Sequence, residues 1–180
     1  MKIVTALAIA AALALPAGAD TFDLRERGLL EVYVTDEFKI AGEDLGDRWE
    51  ILLTPKRPLG EAVARLVVNL TPADEHNSKP KLRARVLELC APIAEQHGVR
   101  KYTALEFYSR QGFGYHCTFA NPKLVGKPPV EGDFKYATYG VVRLAPRVYV
   151  AVTLLTDDPE GAEYQALLGA VEGMEVRPPR

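Results

Sequence analysis

Serine, cysteine, methionine and tryptophan are all scarce in this chain. Its 180 residues hold 2 Cys, 2 Met and 1 Trp, and the only serines are Ser78 and Ser109. With no G-x-S-x-G elbow, a serine nucleophile has little to rest on. Ser109 across a turn from His116 is the one conceivable pair, and no oxyanion-hole signal accompanies it. So few methionines speak against a Met-rich copper carrier. An excess of either charge is also missing, since 22 basic against 24 acidic residues leave a net charge of −2. A chain so balanced lacks the positive field that a phosphate backbone requires, which excludes nucleic acid as a partner. The one long apolar run lies at the N-terminus, from Ile3 to Pro16 behind Lys2. It is shorter than the roughly 20 residues of a membrane-spanning helix, so no membrane span is expected.

That run has the form of a secretory leader. A basic residue, an apolar stretch and the small-x-small sequence Ala17-Gly18-Ala19 predict a signal peptide over residues 1–19 and a single globular domain over 20–180. No cysteine occupies a lipid-attachment position before the cleavage site. The expected location is therefore the periplasm or the exterior. Composition agrees with a folded chain, being 48% apolar and 26% charged.

Residues Leu29 to Val34 read as a strand, followed by an acidic, glycine-containing segment from Thr35 to Asp47. Trp49 to Thr54 and Ala62 to Leu70 are apolar runs stopped by Pro55 and Pro72, which predicts two strands joined by a loop. Asn77 or Ser78 before Lys79-Pro80 marks a helix start. Leu82, Val86, Leu89, Cys90, Ile93 and His97 then share one face of a 3.6-residue period, with Gly98 as the stop and Pro92 predicting a kink or an early end.

From Thr103 the period changes to two. Leu105 and Phe107, a turn at Gln111-Gly112, and then Phe113, Tyr115, Cys117 and Phe119 on one face predict a hairpin. A second hairpin runs over Tyr136 to Leu144 and Val148 to Thr156, turning at Ala145-Pro146. Both faces of its second strand are apolar, which places that strand in the middle of a sheet. Asp157-Asp158-Pro159-Glu160 announces a final helix with Tyr164, Leu167, Leu168 and Val171 inward. Residues 177–180 are expected to fray.

Two helices with a mostly antiparallel sheet predict an α+β fold, a three-layer α/β/α sandwich with helices on both faces. The element order, and the ending Val150-Ala151-Val152-Thr153-Leu154 leading to Tyr164-Gln165-Ala166-Leu167-Leu168-Gly169-Ala170-Val171, resembles the PsbP-like fold family over residues 49–176. The resemblance implies an exported or organelle-targeted domain with binding and assembly roles. It implies no shared catalytic motif, so no functional residue is carried across.

Cys90 on the helix stripe and Cys117 on the strand's apolar face point into one core, and export to an oxidising compartment predicts a disulfide between them. Closing a loop of about 27 residues would contribute roughly 3 to 4 kcal/mol. A Cys/His metal site with His97 and His116 is disfavoured, because strand alternation turns His116 away from Cys117. His76 reads as a surface residue. The pairs Glu43/Asp44 and Asp157/Asp158 read as caps and solvated loops, and residues 36–47 lack calcium-loop spacing. No catalytic residue, metal or cofactor is expected.

Two surfaces are candidates for recognition. Lys79, Lys81, Arg83 and Arg85 crowd a helix start whose dipole they oppose, which an anion or an acidic partner would explain. The long segment Asn121 to Asp133 carries Lys123 and Lys127 and leads into Phe134, Lys135 and Tyr136. Together these predict an exported, non-catalytic accessory or binding protein that contacts a periplasmic protein partner. The alternatives are a small-ligand or metal-binding protein and, after these, a hydrolase.

Overall fold

A computed structural model describes residues 19–57, 62–128 and 132–179. The body is a seven-stranded antiparallel sheet in the order β3-β4-β5-β9-β8-β7-β6. Its strands are β3 (Phe38–Asp44), β4 (Arg48–Pro55), β5 (Ala62–Leu70), β6 (Leu105–Phe107), β7 (Phe113–Ala120), β8 (Tyr136–Ala145) and β9 (Val148–Thr156). A second sheet, ordered β1-β2-β10, comprises β1 (Ala19–Asp23), β2 (Leu29–Tyr33) and β10 (Glu175–Arg177). The helices are α1 (Lys79–Gln96) and α2 (Ala162–Glu172).

Strand β9 lies at the centre because it is apolar on both sides, so only a position covered from two directions satisfies it. Its even-numbered residues Val150, Val152 and Leu154 join Leu66 and Val68 of β5 beneath α2 and the small sheet. Leu167, Val171 and Met174 close this core together with Leu30 and Val32. The small sheet is fixed to the large one by Phe22, whose ring meets Trp49 edge-on at 5.4 Å, and by the Trp49 indole N–H donating to the Asp23 carbonyl at 2.9 Å. On the opposite side α1 buries Leu82, Val86, Cys90 and Ala94 against Tyr115, Cys117, Phe119 and Val141.

The expected three-layer α/β/α sandwich is therefore corrected. Ten strands form two sheets among the described residues, with only two helices. Part of one face is closed by strands rather than by a helical layer. β2 is the strand expected from Leu29 to Val34, whereas its neighbours β1 and β10, like the edge strand β3, are largely polar. β10 ends at Arg177, the first residue of the tail expected to fray, and β3 forms within the acidic segment before β4. A two-residue turn at Gly46-Asp47 joins β3 to β4, with Gly46 at φ 91° and its N–H bonded to the Asp44 carboxylate at 2.8 Å.

The expected disulfide is also corrected. Cys90 and Cys117 are free, buried thiols in one core cluster. Helix α1 meets the sheet over the seam between β7 and β8, so the Cys90 thiol donates to the carbonyl oxygen of Tyr139, the register partner of Cys117. Burial pushes Cys90 up to about 12 and raises Cys117 as well, so both remain protonated at neutral pH.

Helix α1 begins after Ser78, as expected, although the Ser78 hydroxyl makes no capping bond, and it runs through Pro92 to Gln96. Helix α2 starts later than its sequence suggests, after Gly161. Asp158 spends its carboxylate on the Glu160 N–H within the preceding turn. The expected signal peptide lies, apart from Ala19, outside the described residues. No described helix is long and apolar enough to cross a membrane.

Candidate functional site

Strand alternation decides what the α1 side of the sheet presents. Val63, Arg65, Val67 and Asn69 of β5 point there, with Ala151, Thr153 and Leu155 of β9 and Glu50 and Leu52 of β4. Helix α1 covers only β7 and β8, so among the described residues nothing lies over this half of the face. Val63, Val67, Ala151 and Leu155 are half-buried and belong to neither core cluster, and Leu52 is 41% exposed. Leu89 was expected on the buried stripe of α1. It is 41% exposed instead, because it overhangs this uncovered strip.

A groove runs along the boundary. Its wider part, of about 350 Å³, is lined by Asn69, Thr71, Pro72, Ala73, Glu75, His76, Arg85, Leu89, Val141, Tyr149 and Ala151. A narrower continuation of about 200 Å³ shares Leu89, Val141 and Ala151 and extends along Val86, Ile93 and Thr153. The floor is aliphatic and the polar groups stand at one end, an arrangement common to recognition clefts.

That polar end is held rigid by Asp74. The Arg143 guanidinium donates to both carboxylate oxygens, at 3.0 and 2.6 Å, the Tyr149 hydroxyl donates at 2.5 Å, and the Arg147 N–H at 3.4 Å. These bonds pin the segment between β5 and α1 across the ends of β8 and β9. The bidentate Arg143 contact, with the Tyr149 bond, holds the Asp74 carboxyl well below the ordinary carboxylate range despite partial burial. Burial and the adjacent Asp74 raise Tyr149. Asp74 is thus an ionised clamp at neutral pH, its oxygens accepting from Arg143, Tyr149 and the Arg147 N–H. Arg143 also lies 5.7 Å over the Phe113 ring, and His76 meets Tyr149 edge-on at 6.1 Å.

The basic cluster on α1 does not form one face. A spacing of two residues turns successive side chains by about 200°, which separates Lys79 and Arg83 from Lys81 and Arg85. Lys79 pairs with Glu106, Lys81 donates to the Asn77 side chain at 3.5 Å, Arg83 reaches Thr103 at 3.4 Å, and Arg85 pairs with Glu88 at 3.3 Å. Of these four, Arg85 lines the groove.

The long loop lies at the other end of β8 from the Asp74 clamp. Its base is fastened by the Asn121 N–H to the Lys135 carbonyl at 2.7 Å and by the Lys135 N–H to Asp157 at 3.3 Å. Lys123 and Lys127 are exposed, whereas Phe134, Lys135 and Tyr136 are half-buried where β8 begins. Residues 129–131 of this loop lie outside the described residues.

The histidines are dispersed. His97 contacts the Ala120 carbonyl at 3.1 Å and stacks near Phe119. His116 faces away from Cys117, 4.5 Å from the Phe107 ring, with a buried Nδ1 that has no hydrogen-bond partner among the described residues, and burial lowers its pKa. Ser109 donates to the Gln111 carbonyl at 2.6 Å within its turn and is not joined to His116. Among the described residues no three His, Cys, Asp or Glu side chains are grouped to hold a metal ion.

Asp74, Arg143 and Tyr149 were missed as a group from sequence, being 69 and 75 residues apart. The available signal was Arg143 itself, a charge inside the apolar strand Val141-Val142-Arg143-Leu144, which needs a buried partner. No family model, curated protein or solved structure matches the chain. Nothing in these comparisons bears on the PsbP-like resemblance.

Proposed function

We propose that this chain is an exported, non-catalytic accessory protein that works by contact with another protein, and that the groove and the uncovered half of the sheet are its contact surface. The observation that carries the reading is the unlidded strip of Val63, Val67, Ala151 and Leu155, half-buried yet attached to neither core. Apolar surface held on rigid strands and continuous with a clamped groove suits recognition, because little conformational entropy is lost when a partner covers it. The leader-like N-terminus supports export.

A photo-crosslinking amino acid placed at Val67 or Leu155 in the native host should give adducts of one discrete added mass. The same group at Lys123 or at exposed Lys101 should give few. Adducts confined to Lys123 would move the contact to the long loop. An added mass equal to the chain itself belongs to self-association.

A further inference from the structure

We propose that two copies of this chain pair through strand β3, antiparallel and centred on Ala41, joining their seven-stranded sheets across a twofold axis. This goes beyond the contact role proposed above and does not depend on it.

Strand β3 is an edge of the large sheet, and from Lys39 to Asp44 every residue except Ile40 is exposed. The direction of its free backbone groups follows from the bonds at its two ends. The Leu45 N–H donates to the Arg48 carbonyl at 2.9 Å and the Lys56 N–H to the Glu37 carbonyl at 2.7 Å. Odd-numbered residues therefore bond to β4, and Ile40, Gly42 and Asp44 aim their N–H and C=O groups outward. An edge of this length with unpaired donors and acceptors is a template for another strand, and natural sheets commonly block such edges with charge.

The charges on β3 are arranged to match themselves. Lys39 and Glu43 lie on the same face, two residues either side of Ala41, and among the described residues neither makes an ion pair or a side-chain hydrogen bond. In an antiparallel pairing centred on Ala41, Ile40 of each copy meets Gly42 of the other as a hydrogen-bonded pair. Ala41 faces its own copy across the axis, and Lys39 faces Glu43 in both halves at the close, non-hydrogen-bonded spacing. Neighbouring registers of the same parity are poorer. Centring on Gly42 sets Lys39 against Leu45, and centring on Ile40 sets Glu43 against Glu37. The charge pattern thus selects one register, and a C2 pairing uses the same patch twice.

Among the described residues no helix stands over this end of the sheet on the α1 side. A concavity of about 390 Å³ lies there, lined by Ala41, Gly42, Glu43, Glu50, Leu52 and Arg65 among others. On the other side Gly42 leaves room for the Phe22 ring, which a Cβ would strike, so the seam is packed below and open above. Pairing by one edge strand alone gives a small interface and hence a concentration-dependent dimer.

Sedimentation equilibrium on the purified full chain, from low micromolar to near-millimolar concentration, should show a monomer–dimer equilibrium. Lys39→Glu and Glu43→Lys should each weaken it by about tenfold, since two attractions become two repulsions. The combined Lys39→Glu/Glu43→Lys variant should return to within about threefold of the native constant, because the swap restores both pairs. Ala41→Cys should cross-link on mild oxidation while the native chain, whose two thiols are buried, does not. Unchanged melting of each variant confirms that the fold is intact. A monomer at every concentration, or a double swap no stronger than the single variants, overturns the proposal.

Discussion

Asp74 and His116 show opposite ways of accommodating a titratable group in a folded chain. Asp74 is charged and fully engaged by Arg143, Tyr149 and the Arg147 N–H. Asp74→Asn keeps the shape and removes the charge, so urea unfolding at neutral pH should show a loss of about 2 kcal/mol. Because its folded pKa is depressed, its contribution is present in full above the ordinary carboxylate range and is lost as pH falls from that range toward the lower folded value. The acid limb of the stability profile should accordingly be shallower in Asp74→Asn. His116 is buried, its Nδ1 has no partner among the described residues, and burial disfavours its protonated form. The unfolded chain takes up this proton first, so stability falls as pH drops below about 6.5, the ordinary histidine value. Substituting leucine, neutral and of similar bulk, should flatten the profile between pH 6.5 and 5, as read by thermal melts across that range. A profile in His116→Leu as steep as the native one would show that His116 is not the source.

The β6–β7 turn, the β8–β9 turn and the last strand depend on one another at the level of elements. Gln111 acts as a strand partner in side-chain form, accepting from the Val176 N–H at 2.5 Å and donating to the Val176 carbonyl at 3.2 Å. Beside it Gly112 has φ 78°, and a Cβ there would run into the Arg143 carbonyl oxygen. Gly112→Ala combines a left-handed backbone with a backbone clash and should cost about 2 kcal/mol or more. Since Arg143 is displaced with it, the groove end should loosen too, visible as faster amide exchange over residues 71–78. The β8–β9 turn carries Arg147 at φ 64°, which places its N–H toward Asp74 and makes this turn part of the same clamp.

At the scale of the whole molecule, coverage of the sheet is lopsided. Among the described residues one face is closed by α2 and a second sheet, the other only over β7 and β8. The strip left open runs from the groove beside α1 toward edge strand β3, so the contact surface and the self-pairing edge share one face. Dimerisation through β3 would bring two such strips side by side, and a partner long enough to cross the axis would then bind more tightly to the dimer. Crosslinking yield at Val67 in the native host should therefore fall in Lys39→Glu and recover in the charge-swapped double variant. Yield indifferent to these changes would separate the two surfaces.

Local periodicity was sufficient for many elements. Strands β5 and β9 have the bounds their apolar runs imply, and the central place of β9 follows from its two apolar faces. The start of α1, the glycine turn at 112 and the outward direction of His116 relative to Cys117 were legible for the same reason, since spacing alone sets which way neighbouring side chains point. Strands β3 and β10 were not legible, because their residues are polar and owe their extended form to β4 and β2 beside them. The helical stripe and strand alternation correctly sent Cys90 and Cys117 into one core. It could not say whether their sulfurs meet, because that depends on where α1 crosses the β7–β8 seam. The Asp74 clamp and the uncovered strip are likewise tertiary outcomes. The first joins residues 69 and 75 positions apart, and the second exists because α1 settles over two strands and leaves the others open.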